Sequence, residues 1–165
     1  MKKIVAILIN SLGGAGAERV VAAVMKDLSS RVTLHLVLLE DRIEHPIPPS
    51  VTVHHLCPPR FRCFGLGKVR VRQLARQYAV LCRRLMVDES MSFLTRANVI
   101  NVLSRQLGNP GRCIINLRVA SSSEYGSWSP KDLINQYWIR RWYGKADTLV
   151  ANSHGIATDL RDHFG

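Results

Sequence analysis

The sequence predicts an α/β domain built on a parallel sheet with helices on both faces, and three observations predict it. Apolar, strand-like runs alternate with segments of helical periodicity; the first run is apolar without a break; and small residues cluster where that run meets the first helix. Alternating strands and helices build βαβ units, and a continuous apolar run suits a parallel strand covered on both sides.

Ile4–Ile9 is that first run. Lys2 and Lys3 before it imitate a signal peptide, but the run stops after six residues at Asn10, short of the roughly 7–15 of an export core. A turn over residues 11–16 follows. Ala17, Val20, Val21, Val24, Met25 and Leu28 then recur at the spacing of an amphipathic helix. Residues 32–39 read as a second strand and 51–54 as a short third one after a proline-rich loop. A long helix is predicted over 67–86, with Val71, Leu74, Tyr78, Leu81 and Leu85 along one stripe. Residues 91–94 form a fourth strand, 97–107 a helix, and Arg112–Leu117 a fifth strand. Ser129 caps a helix opened by Pro130, with Asp132 in its first turn. Residues 147–151 make a sixth strand, and Ser153 caps a last helix carrying Ile156, Leu160 and Phe164.

Composition bounds the function. With 165 residues, 47% apolar and 21% charged, the chain has material for one folded domain. No apolar run reaches the roughly 18–20 residues of a membrane span. The net charge of +11, from 23 Lys plus Arg against 12 Asp plus Glu, calls for anionic partners: nucleic acid, nucleotide or pyrophosphate groups, or an acidic membrane face. The cysteines, Cys57, Cys63, Cys82 and Cys113, show no C-x-x-C spacing and read as reduced thiols. His54, His55, Cys57 and Cys63 are metal-capable, but they match no zinc-finger spacing and lie among prolines, so no metal is expected. His35, His45 and His163 show no partner pattern.

Four features have the chemistry of sites. In Gly13-Gly14-Ala15-Gly16-Ala17-Glu18-Arg19, small residues let backbone N–H groups approach a ligand, and the helix start favours a phosphate. A tight turn needing positive φ is the alternative, and ligand contact is favoured over it because in open α/β sheets ligands bind at the carboxyl ends of strands. The loop is not a dinucleotide fingerprint, because Arg19 stands at the third glycine position, which weakens a nicotinamide-dependent oxidoreductase. Between His45 and Val87 there is no acidic residue, while Arg60, Arg62, Lys68, Arg70, Arg72, Arg76, Arg83 and Arg84 fall there behind Phe61, Phe64 and Leu66 or among them. On the long helix the arginines lie off the apolar stripe, a surface suited to anionic lipid headgroups or simply to solvent. Asn116-Leu117-Arg118, with Ser121-Ser122-Ser123-Glu124, closes the fifth strand; Arg118 suits a phosphate or developing negative charge, or an ion pair with Glu124. Asn152-Ser153-His154 follows the sixth strand, and capping is its simplest role. A P-loop, a G-x-S-x-G elbow and H-E-x-x-H are all missing.

Together these pieces resemble the amino-terminal half of a GT-B glycosyltransferase of the family-four retaining type. The resemblance rests on residues 11–20, on Ser92-Phe93-Leu94 with Asn98, on residues 116–122, and on Val150-Ala151-Asn152-Ser153 with a helix ending in Phe164-Gly165. It implies a Rossmann-like doubly wound parallel sheet that is mainly the acceptor side of an enzyme whose carboxyl-terminal, donor-binding domain lies outside this chain. The ending at Gly165 reads as a cut between domains, and the domain alone as inactive. The implied reaction is transfer of a hexose from a UDP- or GDP-linked sugar, with no further cofactor, to a saccharide acceptor that is often lipid-linked at the cytoplasmic membrane face. Gly13, Gly14, Ala15, Gly16, Glu18, Asn116, Ser121 and Asn152 are then the donor- and acceptor-binding residues. Arg118 is the catalytic candidate, in a position where relatives carry a histidine or an Arg-containing segment. Arg70, Arg72, Arg76, Arg83 and Arg84 would face an anionic membrane. The rival reading is a non-catalytic basic Rossmann-like module that docks on RNA or a protein, although no nucleic-acid-binding motif is recognisable.

Overall fold

A computed structural model describes residues 2–14, 16–56, 67–125 and 128–164, with backbone alone at 67–70, 121, 124, 131 and 164. Six strands, β1 (Ile4–Ile9), β2 (Thr33–Leu38), β3 (Thr52–His55), β4 (Glu89–Phe93), β5 (Arg112–Leu117) and β6 (Thr148–Ala151), form one sheet. Their order is β3-β2-β1-β4-β5-β6, and every pairing is parallel. The helices are α1 (Gly16–Leu28), α2 (Gly67–Leu85), α3 (Thr95–Gln106), α4 (Ser121–Glu124), α5 (Pro130–Trp142) and α6 (His154–Phe164). The expected Rossmann-like doubly wound sheet is therefore the observed fold.

Alternation along β1 divides the core. Val5, Ile7 and Ile9 face one layer with Val21 and Met25 of α1, while Ala6 and Leu8 face the other with Leu74, Tyr78 and Ile100 of α2 and α3. Ile156 and Leu160 of α6 join the second layer, so α1 covers one face and α2, α3, α5 and α6 the other. The strand order reverses between β1 and β4. In open α/β sheets the crevice outside the strand ends at such a switch point is where ligands bind.

Local chemistry sets the boundaries. Ser129 Oγ accepts from Asp132 N at 3.2 Å with Pro130 opening α5, as the sequence predicts. α2 stops where Met86 takes φ 53° and Val87 N donates back to Cys82 O at 3.0 Å, a left-handed cap of the kind glycine usually supplies. Several elements shift by one or two residues at their ends and a short 3-10 turn over Tyr143–Lys145 follows α5, but two differences from expectation are instructive. β4 begins at Glu89, two residues before the predicted 91–94, because Ser90 and Ser92 are fully buried polar residues that an apolar pattern does not register. The four-residue α4 was not foreseen, since one turn shows no periodicity.

Candidate functional site

The β1–α1 turn lies at the carboxyl edge of the sheet. Leu12 N donates to Arg42 O at 2.8 Å and Glu44 N to Leu12 O at 2.9 Å, which ties the turn to the segment after β2. Arg42 and Glu44 pair at 2.6 Å and lie against the glycines. A Cβ on Gly13 would stand 2.7 Å from the Arg42 side chain, and one on Gly14 2.8 Å from Glu44 Oε2. Gly14 also has φ +81°. These two glycines thus serve a tight turn and an internal ion pair. Gly16 differs, because among the described residues, its own helix and chain neighbours aside, nothing stands within 4 Å of the position of its Cβ. Ala15 lies outside the described residues. Glu18, in the first turn of α1, is only 6% exposed.

A second group gathers where β4 and β5 end. Arg118, half-buried, lines a cavity of about 40 Å³ with Leu94, Thr95, Asn98, Asn116 and Val119. Leu94 begins α3 at φ 74°, ψ 146° and supplies no side-chain cap. Asn116 is 8% exposed; its Nδ2 donates to Ser92 O at 3.1 Å and its carbonyl accepts from Asn98 Nδ2 at 3.0 Å. Its carboxamide therefore holds β5 to β4 behind the cavity. The network continues inward: Ser92 Oγ donates to Asn98 Oδ1, Asn101 Nδ2 to Ser90 O, and Ser90 Oγ meets both Asn101 Oδ1 and Tyr78 Oη. The side chains of Ser121 and Glu124 lie outside the described residues, and with them the Arg118–Glu124 pair. The neighbouring Ser122 donates its N–H and hydroxyl to the Asp159 carboxylate, joining α4 to α6.

At the end of β6, Ser153 Oγ accepts from Ile156 N at 3.3 Å, the expected cap. Asn152 is exposed beside it and lines an open hollow with His154 and Ala157. On α2, Arg72, Arg76, Arg83 and Arg84 are exposed, and Arg83 Nη1 also donates to Leu107 O at 2.9 Å at the end of α3. The Arg70 side chain, Lys68's and residues 57–66, with Arg60, Arg62, Phe61, Phe64, Cys57 and Cys63, lie outside the described residues. Next to α2 a groove of about 410 Å³ runs between α3 and α5, lined by Val71, Arg72, Leu103, Tyr137, Trp138 and Trp142.

Sequence reasoning missed several partners. His35, given none, places Nδ1 3.0 Å from His54 Nε2 across β2 and β3. Burial lowers the pKa of both rings, and for His54 the proximity of His35, Arg84 and His55 adds to it. Parallel register was the signal, because it brings residues 35 and 54 onto adjacent strands. Burial pushes the Cys82 and Cys113 thiols up to about 12, which leaves them unreactive. Among the described residues no three metal-capable side chains converge. No helix among them is long and apolar enough to cross a membrane.

Comparison with known proteins adds to this geometry. No protein-family model matches the chain. It is 37% identical over 159 residues, 96% of its length, to the N-acetylgalactosamine-N,N'-diacetylbacillosaminyl-diphospho-undecaprenol 4-alpha-N-acetylgalactosaminyltransferase of Campylobacter jejuni. Its fold matches sucrose-phosphate synthase from Thermosynechococcus elongatus with a TM-score of 0.73 over 99% of the chain, at 10% identity. The chain spans less than half of either protein, 43% of the first and 46% of the second. The chain is homologous in sequence to part of a glycosyltransferase, and its fold is that of the amino-terminal half of the GT-B architecture.

Proposed function

We propose that the chain is the acceptor-side half of a retaining glycosyltransferase that moves a hexose-type sugar from a UDP- or GDP-linked donor onto a lipid-linked saccharide. One observation carries this reading: a sequence relationship through 96% of the chain to an enzyme named for a saccharide on diphospho-undecaprenol. The donor is then held mostly by a carboxyl-terminal domain facing the β1–β4 switch point. In such a transfer negative charge develops on the departing nucleotide diphosphate. Arg118, which lines the small cavity after β5, is the guanidinium we assign to stabilise it. Gly16, Glu18 and Asn152 stand at the same carboxyl edge of the sheet, while Gly13, Gly14 and Asn116 shape it from behind. Arg72, Arg76 and Arg84, with Arg70 and Arg83 on the same helix, hold the protein at the anionic inner face of the cell membrane, where a lipid-linked acceptor resides.

The test is a chimera in which this chain replaces the matching segment of the Campylobacter transferase. Transfer of radiolabelled sugar from UDP-N-acetylgalactosamine to that enzyme's lipid-linked acceptor is the expected outcome. Arg118→Ala should lower kcat by about a hundredfold or more, the scale of losing one charge-stabilising donor. A folded chimera that neither transfers sugar nor hydrolyses the donor would overturn the proposal.

A further inference from the structure

Three polar side-chain atoms at the carboxyl edge of the sheet are buried with no hydrogen-bond partner among the described residues: Asn10 Oδ1, Glu18 Oε2 and His45 Nε2. Asn10 follows β1, Glu18 stands in the first turn of α1, and His45 belongs to the segment after β2. The backbone draws these segments together. Asn10 O accepts from Leu39 N and Glu40 N, and Leu12 exchanges hydrogen bonds with Arg42 and Glu44, immediately before His45.

Glu18 heads the core-facing stripe of α1. Val21 and Met25, one and two turns further on, are fully buried in the apolar layer beneath Ile9 and Leu38. At the next turn toward the strand ends the stripe changes from apolar to carboxylate, with only 6% of Glu18 exposed. Burying a polar group without a partner is costly, so packing alone does not account for an acid at this position.

We infer that Glu18, together with Asn10, forms a subsite that recognises the hydroxyl groups of an uncharged sugar ring in the acceptor, rather than a phosphate. This rests on the glycosyltransferase reading and names the chemistry of its β1–α1 site. A carboxylate and an amide oxygen only accept hydrogen bonds. Sugar hydroxyls donate to them; phosphate oxygens, which also accept, repel them. Charge points the same way. The positive end of α1, which would otherwise attract phosphate, already has the Glu18 carboxylate in its first turn. Arg42, which lies against Gly13 of the turn, is held by Glu44 at 2.6 Å. A Cβ on Gly16 would meet no described side chain within 4 Å.

The probe is the methyl glycoside of N-acetylgalactosamine, observed by saturation-transfer NMR on this chain, with inorganic phosphate as competitor. The glycoside should bind and phosphate should not displace it. Glu18→Gln keeps the side chain's shape and a helix-compatible residue in the first turn. It should weaken the glycoside by about tenfold, as expected for losing hydrogen bonds to a charged acceptor, with an unchanged thermal midpoint. Asn10→Ala should weaken it too. In the chimera described above, Glu18→Gln should raise acceptor KM more than it changes kcat or donor KM. Unaltered glycoside binding in Glu18→Gln, displacement by phosphate, or no saturation transfer in the unaltered chain would each overturn the inference. A chimera that turns over normally with Glu18→Gln would sink the subsite and leave the transferase reading standing. Glycoside binding that depends on Glu18 beside an inactive chimera would do the reverse.

Discussion

Gly14 separates two roles that a glycine-rich loop can have. Its φ of +81° lies where an L-residue is strained, and its missing Cβ makes room for Glu44. Gly16 has neither constraint. Gly14→Ala should therefore cost about 1–2 kcal/mol, the penalty of placing an L-residue in left-handed backbone, whereas Gly16→Ala should leave stability within about 0.5 kcal/mol. Urea unfolding of the two variants checks this, and equal effects would mean that the turn does not depend on Gly14's backbone. The glycine cluster was visible in the sequence, but its division of labour was not. Arg42 and Glu44 reach the turn through strand pairing, which no local spacing encodes.

Among the elements, α3 departs from the amphipathic pattern that made α1 and α2 legible. Ala97, Asn98, Val99, Ile100, Asn101, Val102 and Ser104 are all buried, so the helix has no polar half to reveal its orientation. Its carboxamides stitch it to β4 and β5. Asn101 Nδ2 reaches Ser90 O at 2.9 Å and Ser92 Oγ at 3.1 Å, and Asn101 Oδ1 accepts from Ser90 Oγ at 2.6 Å. Asn101→Leu removes these three buried hydrogen bonds, leaving Ser90 Oγ only Tyr78 and Ser92 Oγ only Asn98, and should cost about 2–4 kcal/mol by equilibrium denaturation, at about 1 kcal/mol per hydrogen bond lost. A loss under about 1 kcal/mol would show that the network does not depend on this residue. The strands that carry the sheet order were legible because their apolar runs need no partner to be recognised. The polar strand β4 was read two residues short because its serines make sense only beside α3. A signal did exist: Ser90 and Ser92 alternate on β4, while Asn98, Asn101 and Ser104 repeat every third residue on α3.

For the molecule as a whole, a net charge of +11 leaves open whether anionic surfaces are met by one face or by the protein's general charge. The two alternatives predict different mutational patterns. Arg72, Arg76 and Arg84 are exposed on α2, and Arg72 borders the groove lined by Trp138 and Trp142, so that side offers cations beside an apolar recess. Lys2, Lys26 and Arg31 lie elsewhere on the surface, Lys2 bonded to Ser30 O and Arg31 paired with Asp27. Replacing either trio by Gln lowers the net charge from +11 to +8. If α2 is the membrane face, the first trio should cost about 3 kcal/mol of vesicle binding, at about 1 kcal/mol per basic residue near an anionic surface. The second trio should then cost under about 1 kcal/mol, because Lys26 on α1 and Arg31 just after it lie across the sheet from α2, and charges farther off than the screening length of about 10 Å at 0.1 M salt add little. Co-sedimentation with phosphatidylglycerol-rich vesicles, set against phosphatidylcholine alone, reads the difference. It should shrink as salt is raised toward about 1 M, where the screening length falls to about 3 Å. Equal losses from the two trios would assign the attraction to overall charge and remove α2 as a membrane face.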